Sequence, residues 1–436
     1  MKQKAGMISL GCAKNRVDSE RIMGLLKEGG FEITPNAEDA DVLFINTCGF
    51  IDSAKAESIN TILEMADYKE RNCKKLIVTG CLAQRYLEDL KAKLPEVDRF
   101  IPIDDYAKMP EILKEEIGLG EVHPNPERYL STDPWAGYLK IADGCYNFCA
   151  YCAIPLIKGK YASEPFEKMV EEAKMMAKRG VKEITLIAQD TTMYGVDLYH
   201  KKRLGELVKE IDKIEGIEWI RVLYLYPSQM DEKFLKELKE CRKFVPYFDL
   251  PMQYGNDRML KLMNRATTVE KFKKIVAKIR EYFPDAIFRT TMIVGFPGET
   301  EKDFNDLMSF VREMKFDRLG AFAYSREEGT KAYDMKPQVH WKTKERRLKT
   351  LLEAQEPISE ECAKKFIGKE IDVILEGIDE ATGMYEGRSY ASAPDDIDGS
   401  VYVGSYKEHK FGEIVKVRIH HADIYDLYGD ITEEEE

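Results

Sequence analysis

Short apolar runs alternate with amphipathic stretches over most of the chain, and the texture changes near residue 370. Before residue 125, apolar runs at 7–10, 42–46 and 76–79 read as strands, and the patterns at 19–28 and 53–68 read as helices. Gly29-Gly30 closes the first helix. Short, wholly apolar strands set between helices predict an open parallel sheet covered on both faces. His123-Pro-Asn-Pro126 then reads as the start of a linker.

The strand–helix rhythm resumes after residue 135. Runs at 138–142, 184–188, 220–225, 247–250, 288–294 and 319–323 are candidate strands, with helical patterns such as 166–179 and 269–282 between them. Such units predict a partial (β/α)6 barrel, with chemistry gathered at the C-terminal ends of its strands. Residues 342–366 form a charged amphipathic helix. Beyond 370, short runs at 371–375, 385–389, 400–403, 414–419 and 423–428 predict a small antiparallel, OB-like β-barrel. The expected class is α/β throughout the first two domains. The expected boundaries are 1–125, a linker at 126–134, a barrel at 135–365, and a small β-barrel at 366–434.

A chain of 436 residues suits about three domains. Its net charge of −12 is uneven: residues 370–436 hold 18 acidic and 5 basic side chains, and the rest is nearly balanced. The terminal run 433–436 alone would be a solubilising tail, but it supplies only four of those acids. An acidic domain repels nucleic-acid phosphates and attracts a basic protein. No run of about 18 apolar residues exists, so no membrane span is expected. The opening apolar run is too short for a signal peptide. Nine cysteines, an odd number, do not form a small secreted scaffold. They point to a reducing cytoplasm and to metal ligands rather than disulfides.

Three of them, Cys145, Cys149 and Cys152, stand in Gly-Cys-Tyr-Asn-Phe-Cys-Ala-Tyr-Cys with no fourth nearby. Structural zinc sites close with four ligands, and cubane clusters normally take four thiolates. Three thiols therefore leave an open metal position. A group of buried structural cysteines is the plainer alternative. Cys12, Cys48 and Cys81 share no local spacing, but each closes a strand of the first domain. In an open parallel sheet such ends converge on one crevice. Cys73, in a polar loop, and Cys241 and Cys362, in helical patterns, are expected to be non-ligands.

The Cys145/Cys149/Cys152 spacing resembles the signature of the radical S-adenosylmethionine enzymes, and Tyr151 matches the family's usual aromatic near the adenine. Ser9-Leu-Gly-Cys-Ala-Lys-Asn-Arg-Val-Asp-Ser-Glu20, Asn46-Thr-Cys-Gly-Phe50 and Val78-Thr-Gly-Cys-Leu-Ala-Gln84 resemble the three motifs of the methylthiotransferases. The resemblance covers nearly the whole chain and implies an N-terminal methylthiotransferase domain, a radical domain and a TRAM barrel. It implies a second 4Fe–4S cluster on Cys12, Cys48 and Cys81, where the transferred sulfur would bind. It also implies S-adenosylmethionine both as methyl source and as radical source, an external electron donor and a sulfur donor. No side chain is expected to act as a catalytic acid or base.

One branch of that family, MiaB-like, modifies a tRNA adenosine. The other, RimO-like, modifies an aspartate β-carbon of small-subunit ribosomal protein twelve. The opening motif, the stretches Gly387-Arg-Ser-Tyr-Ala-Ser-Ala-Pro394 and Ile397-Asp-Gly-Ser-Val-Tyr-Val403, and the acidic last domain resemble the second branch. A basic ribosomal protein is therefore the expected substrate, and nucleic acid is not. The same chemistry on tRNA is the alternative.

Thr290-Thr-Met-Ile-Val-Gly-Phe-Pro-Gly-Glu-Thr300 resembles the segment that lines the adenine, which makes Gly295 and Glu299 cofactor candidates. A tight strand–helix turn is the plainer reading. Gln189 is a candidate by its position after a strand. The family's usual Arg-Gly, Arg-Ser-Arg and Pro-Leu-Gln-His are here Lys158-Gly159, Ala162-Ser163-Glu164 and Pro251-Met-Gln-Tyr254. Lysine is no like-for-like substitute at a bidentate site.

Overall fold

The computed structural model describes residues 2–123, 126–395 and 397–432. Part of the expected linker start, one acid of the last domain and the run 433–436 lie outside the described residues. The chain folds into two compact units. The first comprises residues 1–133, 143–162 and 325–333, and the second comprises 134–142, 163–324 and 334–436.

The first unit is built on a five-stranded parallel sheet. Its strands are β1 (Lys4–Ser9), β2 (Glu32–Thr34), β3 (Val42–Thr47), β4 (Lys75–Gly80) and β5 (Arg99–Ile101), in the order β2-β1-β3-β4-β5. Helices α1 (Ala13–Glu28), α2 (Asp52–Ala66), α3 (Cys81–Arg85), α4 (Leu87–Lys93) and α5 (Met109–Ile117) follow the strands. Every residue of β3 is buried, as an interior strand covered on both faces requires. Leu43, Ile45, Leu76 and Val78 face one core, while Val42, Phe44 and Ile77 face the other. The edge strands β2 and β5 have only three residues each, too short to stand out as apolar runs. Helix α1 begins at Ala13, six residues before the sequence expectation. Its first turns carry buried polar residues, Lys14, Asn15 and Asp18, which break the apolar periodicity.

In the second unit, β6 (Ala136–Lys140), β7 (Glu183–Ile187) and β8 (Trp219–Val222) form one parallel sheet, with β7 central. A second parallel sheet holds β9 (Tyr247–Asp249), β10 (Ile287–Val294) and β11 (Arg318–Ala323), with β10 central. An isolated parallel bridge from Ile220 to Phe244 joins the two groups. The six strands are those of the expected partial barrel.

The last five strands, β12 (Glu370–Ile378), β13 (Tyr385–Ser389), β14 (Val401–Gly404), β15 (Ile414–Ala422) and β16 (Leu427–Ile431), close into a barrel. Its pairs are antiparallel except β14 with β16. Directions cannot alternate around a closed ring of five strands, so one parallel pair is obligatory. The segment after β13 meets the six-stranded group through side chains. Tyr138 and Tyr247 donate to Asp395 and Asp398, each at 2.6 Å. Glu183 accepts from Arg221 and Arg388, each at 2.7 Å. Arg388 also binds Glu376 at 2.8 Å. Asp398 and Glu376 of the small barrel thus face inward, which trims the acidic surface expected from composition. No helix among the described residues is long and apolar enough to cross a membrane.

Candidate functional site

All six motif cysteines lie in the first unit. Ser9 of β1 is level with Asn46 of β3, and Asn46 is level with Thr79 of β4. Cys12, Cys48 and Cys81 follow these three levelled residues by two or three positions, so parallel pairing alone brings them to one sheet edge. Three glycines permit the approach. A Cβ on Gly11 (φ +86°) would lie 3.0 Å from Cys48 Cβ and 3.2 Å from its Sγ. A Cβ on Gly49 would lie 2.9 Å from the Cys81 carbonyl carbon, and one on Gly80 (φ +93°) 2.2 Å from Asn46 Oδ1. A side chain at any of the three would push the edge apart.

Asn15 binds this edge together. Its amide donates to the carbonyls of Leu10, at 3.1 Å, and Thr47, at 3.0 Å. The Cys81 thiol donates to Asn15 Oδ1 at 3.5 Å. Asn46 Nδ2 in turn donates to the Asn15 carbonyl at 2.8 Å and to Ser19 Oγ at 2.9 Å. Arg85, on the helix that starts at Cys81, donates to the Gly49 carbonyl at 2.9 Å and to buried Glu327 at 3.0 Å. Motif matching quoted Asn15 but gave it no role, and it did not single out Arg85. A buried Asn and Arg at the strand ends would have been the available signal.

Burial pushes the Cys81 thiol up to about 12; Lys158 pulls it down, and Cys12 and Cys48 push it further up. Cys48 is also raised by burial, against a lowering contact with the Phe50 backbone and a raising one from Cys12. Cys12 is exposed and stands at the N-cap of the 16-residue α1.

Cys145, Cys149 and Cys152 lie on a loop held by Gly144 (φ +73°), where a Cβ would fall 2.1 Å from the Lys160 carbonyl oxygen. Asn147 points its backbone and side-chain N–H groups at Cys145 Sγ, both at 3.4 Å. The Ile154 amide points at Cys152 Sγ at 3.5 Å. Amide hydrogen bonds to sulfur are a recognised feature of iron–sulfur ligation. Phe148, between two of the cysteines, takes φ +45°. The loop ends in the short helix α6 (Ile154–Ile157), and Ala153 and Ile157 pack directly on Cys81. The two sets are therefore in contact through their neighbours. Among the described residues no group of His, Cys, Asp and Glu closes on a single metal ion.

Cys73, Cys241 and Cys362 are buried, and burial raises all three thiols. Cys73 belongs to an apolar core although its sequence neighbours are polar. Tyr151 is half-buried on the triad loop. Gln189, Gly295 and Glu299 lie in the second unit. Both oxygens of buried Glu299 are committed within the chain: Tyr254 donates to Oε1 at 2.7 Å, while the Gly295 amide and Arg347 donate to Oε2 at 2.5 and 2.7 Å. Gly295 (φ +72°) needs its bare Cα because a Cβ would sit 2.3 Å from Lys344 Cγ. The turn is thus fixed by its own chain, and the unusual Tyr254 is part of the lock.

The Radical SAM superfamily profile matches residues 139–311, and a TRAM domain profile matches 367–432. Residues 4–102 match the Uncharacterized protein family UPF0004. A ribosomal protein uS12 methylthiotransferase RimO of Acetivibrio thermocellus is 49% identical over 100% of this chain and 99% of its own length. Its namesake from Caldicellulosiruptor saccharolyticus is 48% identical over 98% of this chain and 99% of its own. Among solved structures, the radical S-adenosylmethionine methyltransferase TsrM of Kitasatospora setae, with cobalamin and a [4Fe-4S] cluster bound, has a TM-score of 0.57 at 12% identity. It covers 76% of this chain and 77% of its own. At that identity the likeness is one of fold.

Proposed function

The chain belongs to the RimO family of ribosomal protein uS12 methylthiotransferases, and from that premise we propose that Cys12, Cys48 and Cys81 hold one 4Fe–4S cluster and Cys145, Cys149 and Cys152 another. It is a radical S-adenosylmethionine enzyme that adds a methylthio group to an aspartate β-carbon of the small-subunit protein uS12. When bound, the clusters and S-adenosylmethionine supply the homolytic C–H chemistry and sulfur transfer that side-chain acids and bases cannot perform. A low-potential electron donor and a sulfur donor come from outside the chain.

One observation supports the assignment of the first set: three strands in level register each run on into one of the three cysteines, beside glycines that admit nothing larger. Each set offers three thiols to a four-iron cubane, which leaves one iron for a non-protein ligand. Asn15 orients the Cys81 sulfur, and the Asn147 and Ile154 amides orient the second set. Ala153 and Ile157 keep water from Cys81. Tyr151, Gln189 and Gly295 are the proposed contacts of S-adenosylmethionine. Glu299 serves that site by holding the Gly295 amide in place. The proposed domains are 1–125, 135–365 and 366–434, the last attracting a basic substrate through the acids it keeps on its surface.

The test is anaerobic. Reconstituted, reduced enzyme with S-adenosylmethionine is given uS12 or bulk tRNA, and both are read by mass spectrometry. Methylthio addition on an aspartate of uS12 is expected, and product on tRNA alone would overturn the substrate. Iron counting should give about eight irons per chain.

A further inference from the structure

One buried charge beside the cysteines has no part in the function described so far. The Lys158 side chain is 2% exposed, with Nζ 3.1 Å from Asp18 Oδ2 and 3.2 Å from Asp143 Oδ2. Asp18 is six residues past Cys12 on α1, and Asp143 stands two before Cys145. Lys158 directly follows Ile157, which packs on Cys81. The ammonium thus bridges the elements that carry the two cysteine sets. Among the described residues these carboxylates are its hydrogen-bond partners, although an ammonium has three donors. Its attraction is also the largest force opposing the effect of burial on the Cys81 thiol.

A purely architectural role could be filled by apolar packing, which often replaces a buried ion pair without loss. A fixed cation among thiols does something packing cannot. Adding an electron to a thiolate-bound cluster adds one negative charge, and in a low-dielectric site a neighbouring cation favours that state. Charge and hydrogen bonding around the sulfurs are known levers on cluster potential. We propose that Lys158 is a positioning residue that sets the electrostatic potential at the Cys81 end of the first cysteine set and so stabilises the reduced state of the cluster held there. Asp18 acts in the opposite direction while holding the ammonium in place. The proposal rests on the cysteine assignment above.

The experiment is a dithionite redox titration followed by electron paramagnetic resonance. It uses the full chain carrying Cys145→Ala, Cys149→Ala and Cys152→Ala, so that only the first set is ligated. Against this background, Lys158→Met should lower the midpoint. At the parent's midpoint the reduced-to-oxidised ratio should fall about tenfold, which is about 59 mV for one electron. Asp18→Asn should raise the midpoint, and Lys158→Arg, which keeps the charge, should hold it. Opposite shifts from two substitutions in the same ion pair are what a merely structural role would not give. Shifts in the same direction, or no shift with the cluster assembled, would overturn the proposal. Where Lys158→Met fails to assemble, Asp18→Asn decides alone: a rise supports the proposal, and no change or a fall overturns it. A background chain that binds no iron on the first set refutes the cysteine assignment instead. Iron content, not potential, reports that failure.

Discussion

Two buried ion clusters in this chain are built to different rules. In the second unit, Glu183 places one oxygen on Arg221 and the other on Arg388, and Arg388 forks onto Glu376. The remaining guanidinium donors reach the carbonyls of Tyr390, Ser389 and Ser392. Burial pushes the Glu183 carboxyl up, but Arg388 and Arg221 more than reverse it, so its pKa ends below the usual carboxylate range. The Arg388–Glu376 contact is planar and bidentate, while Glu183 takes one N–H from each guanidinium. In the first unit, Lys158 is a point charge between two carboxylates, beside thiols that burial has made reluctant to ionise. A closed network fixes architecture, here the seat of the small barrel. An incompletely closed one leaves a charge for neighbouring chemistry to use.

The comparison breaks most visibly at the cysteines. Replacing Cys12, Cys48 and Cys81 together by Ala should remove about half of the iron and bring methylthiolation of uS12 to background. Unfolding of the apo chain should change little by comparison. If that variant keeps all its iron, the two-cluster assignment fails. Arg388→Met should do the reverse. It leaves buried Glu183 with Arg221 alone and takes the bidentate partner from Glu376, at a cost of about 3 kcal/mol measurable by urea denaturation. Iron bound per folded chain should remain that of the parent. A loss of iron without a loss of stability would show that the closed network serves the chemistry after all.

Much of this contrast was legible in the sequence, and the part that was not has a physical cause. Parallel strands betray themselves as apolar runs, so β3, β4 and the six strands of the two three-stranded parallel sheets are legible to within a few residues. Cys12, Cys48 and Cys81 could be grouped because strand ends in a parallel sheet must meet on one side. Strands β2 and β5 were not visible, since three residues show no pattern. The last strand starts at Leu427, later than expected, because the turn before it holds apolar residues too. Neither ion cluster could be read. Lys158 and Asp18 are 140 residues apart, and Glu183 and Arg388 are 205 apart. Charged residues in sequence look solvated unless a partner is known. The conspicuous Lys158 was noted only as a departure from a familiar arginine, and the fold turns that departure into a buried cation.

A smaller effect probes the turn at Gly295, which belongs to the closed kind. Tyr254→Phe deletes the donor to Glu299 Oε1 but leaves Arg347 and the Gly295 amide in place. About 1–2 kcal/mol of stability should go, read by chemical denaturation. Burial already raises the Glu299 carboxyl, against lowering contacts from Tyr254, Arg347 and the Gly295 amide. Losing the phenol should raise it further. A weakened affinity for S-adenosylmethionine, measured by calorimetry on the loaded enzyme, should accompany the loss if Glu299 holds the cofactor turn. Unchanged affinity would detach Glu299 from that site.

The smallest expected change tests whether the closed-network rule extends to half-open pairs. Asp303 caps the helix Glu301–Met314, accepting from the Thr300 amide at 2.8 Å. It also accepts from Arg258 Nε at 2.9 Å and Asn256 at 3.0 Å. Burial raises its carboxyl, and Arg258, Thr300 and Asn256 outweigh that to leave it well below the usual range. A carboxyl depressed in the folded state stabilises it at any pH above its unfolded value, about 3.9, and the benefit is lost as pH falls through the folded value. Arg258 is half exposed, so water screens part of the pair. Asp303→Asn should therefore cost only about 1 kcal/mol at neutral pH. The gap between parent and variant should shrink steadily below pH ~4. Urea titrations at a series of pH values would show it as converging curves. A gap that stays constant into acid would mean that the charge of Asp303 contributes nothing and that its cap geometry alone holds the helix.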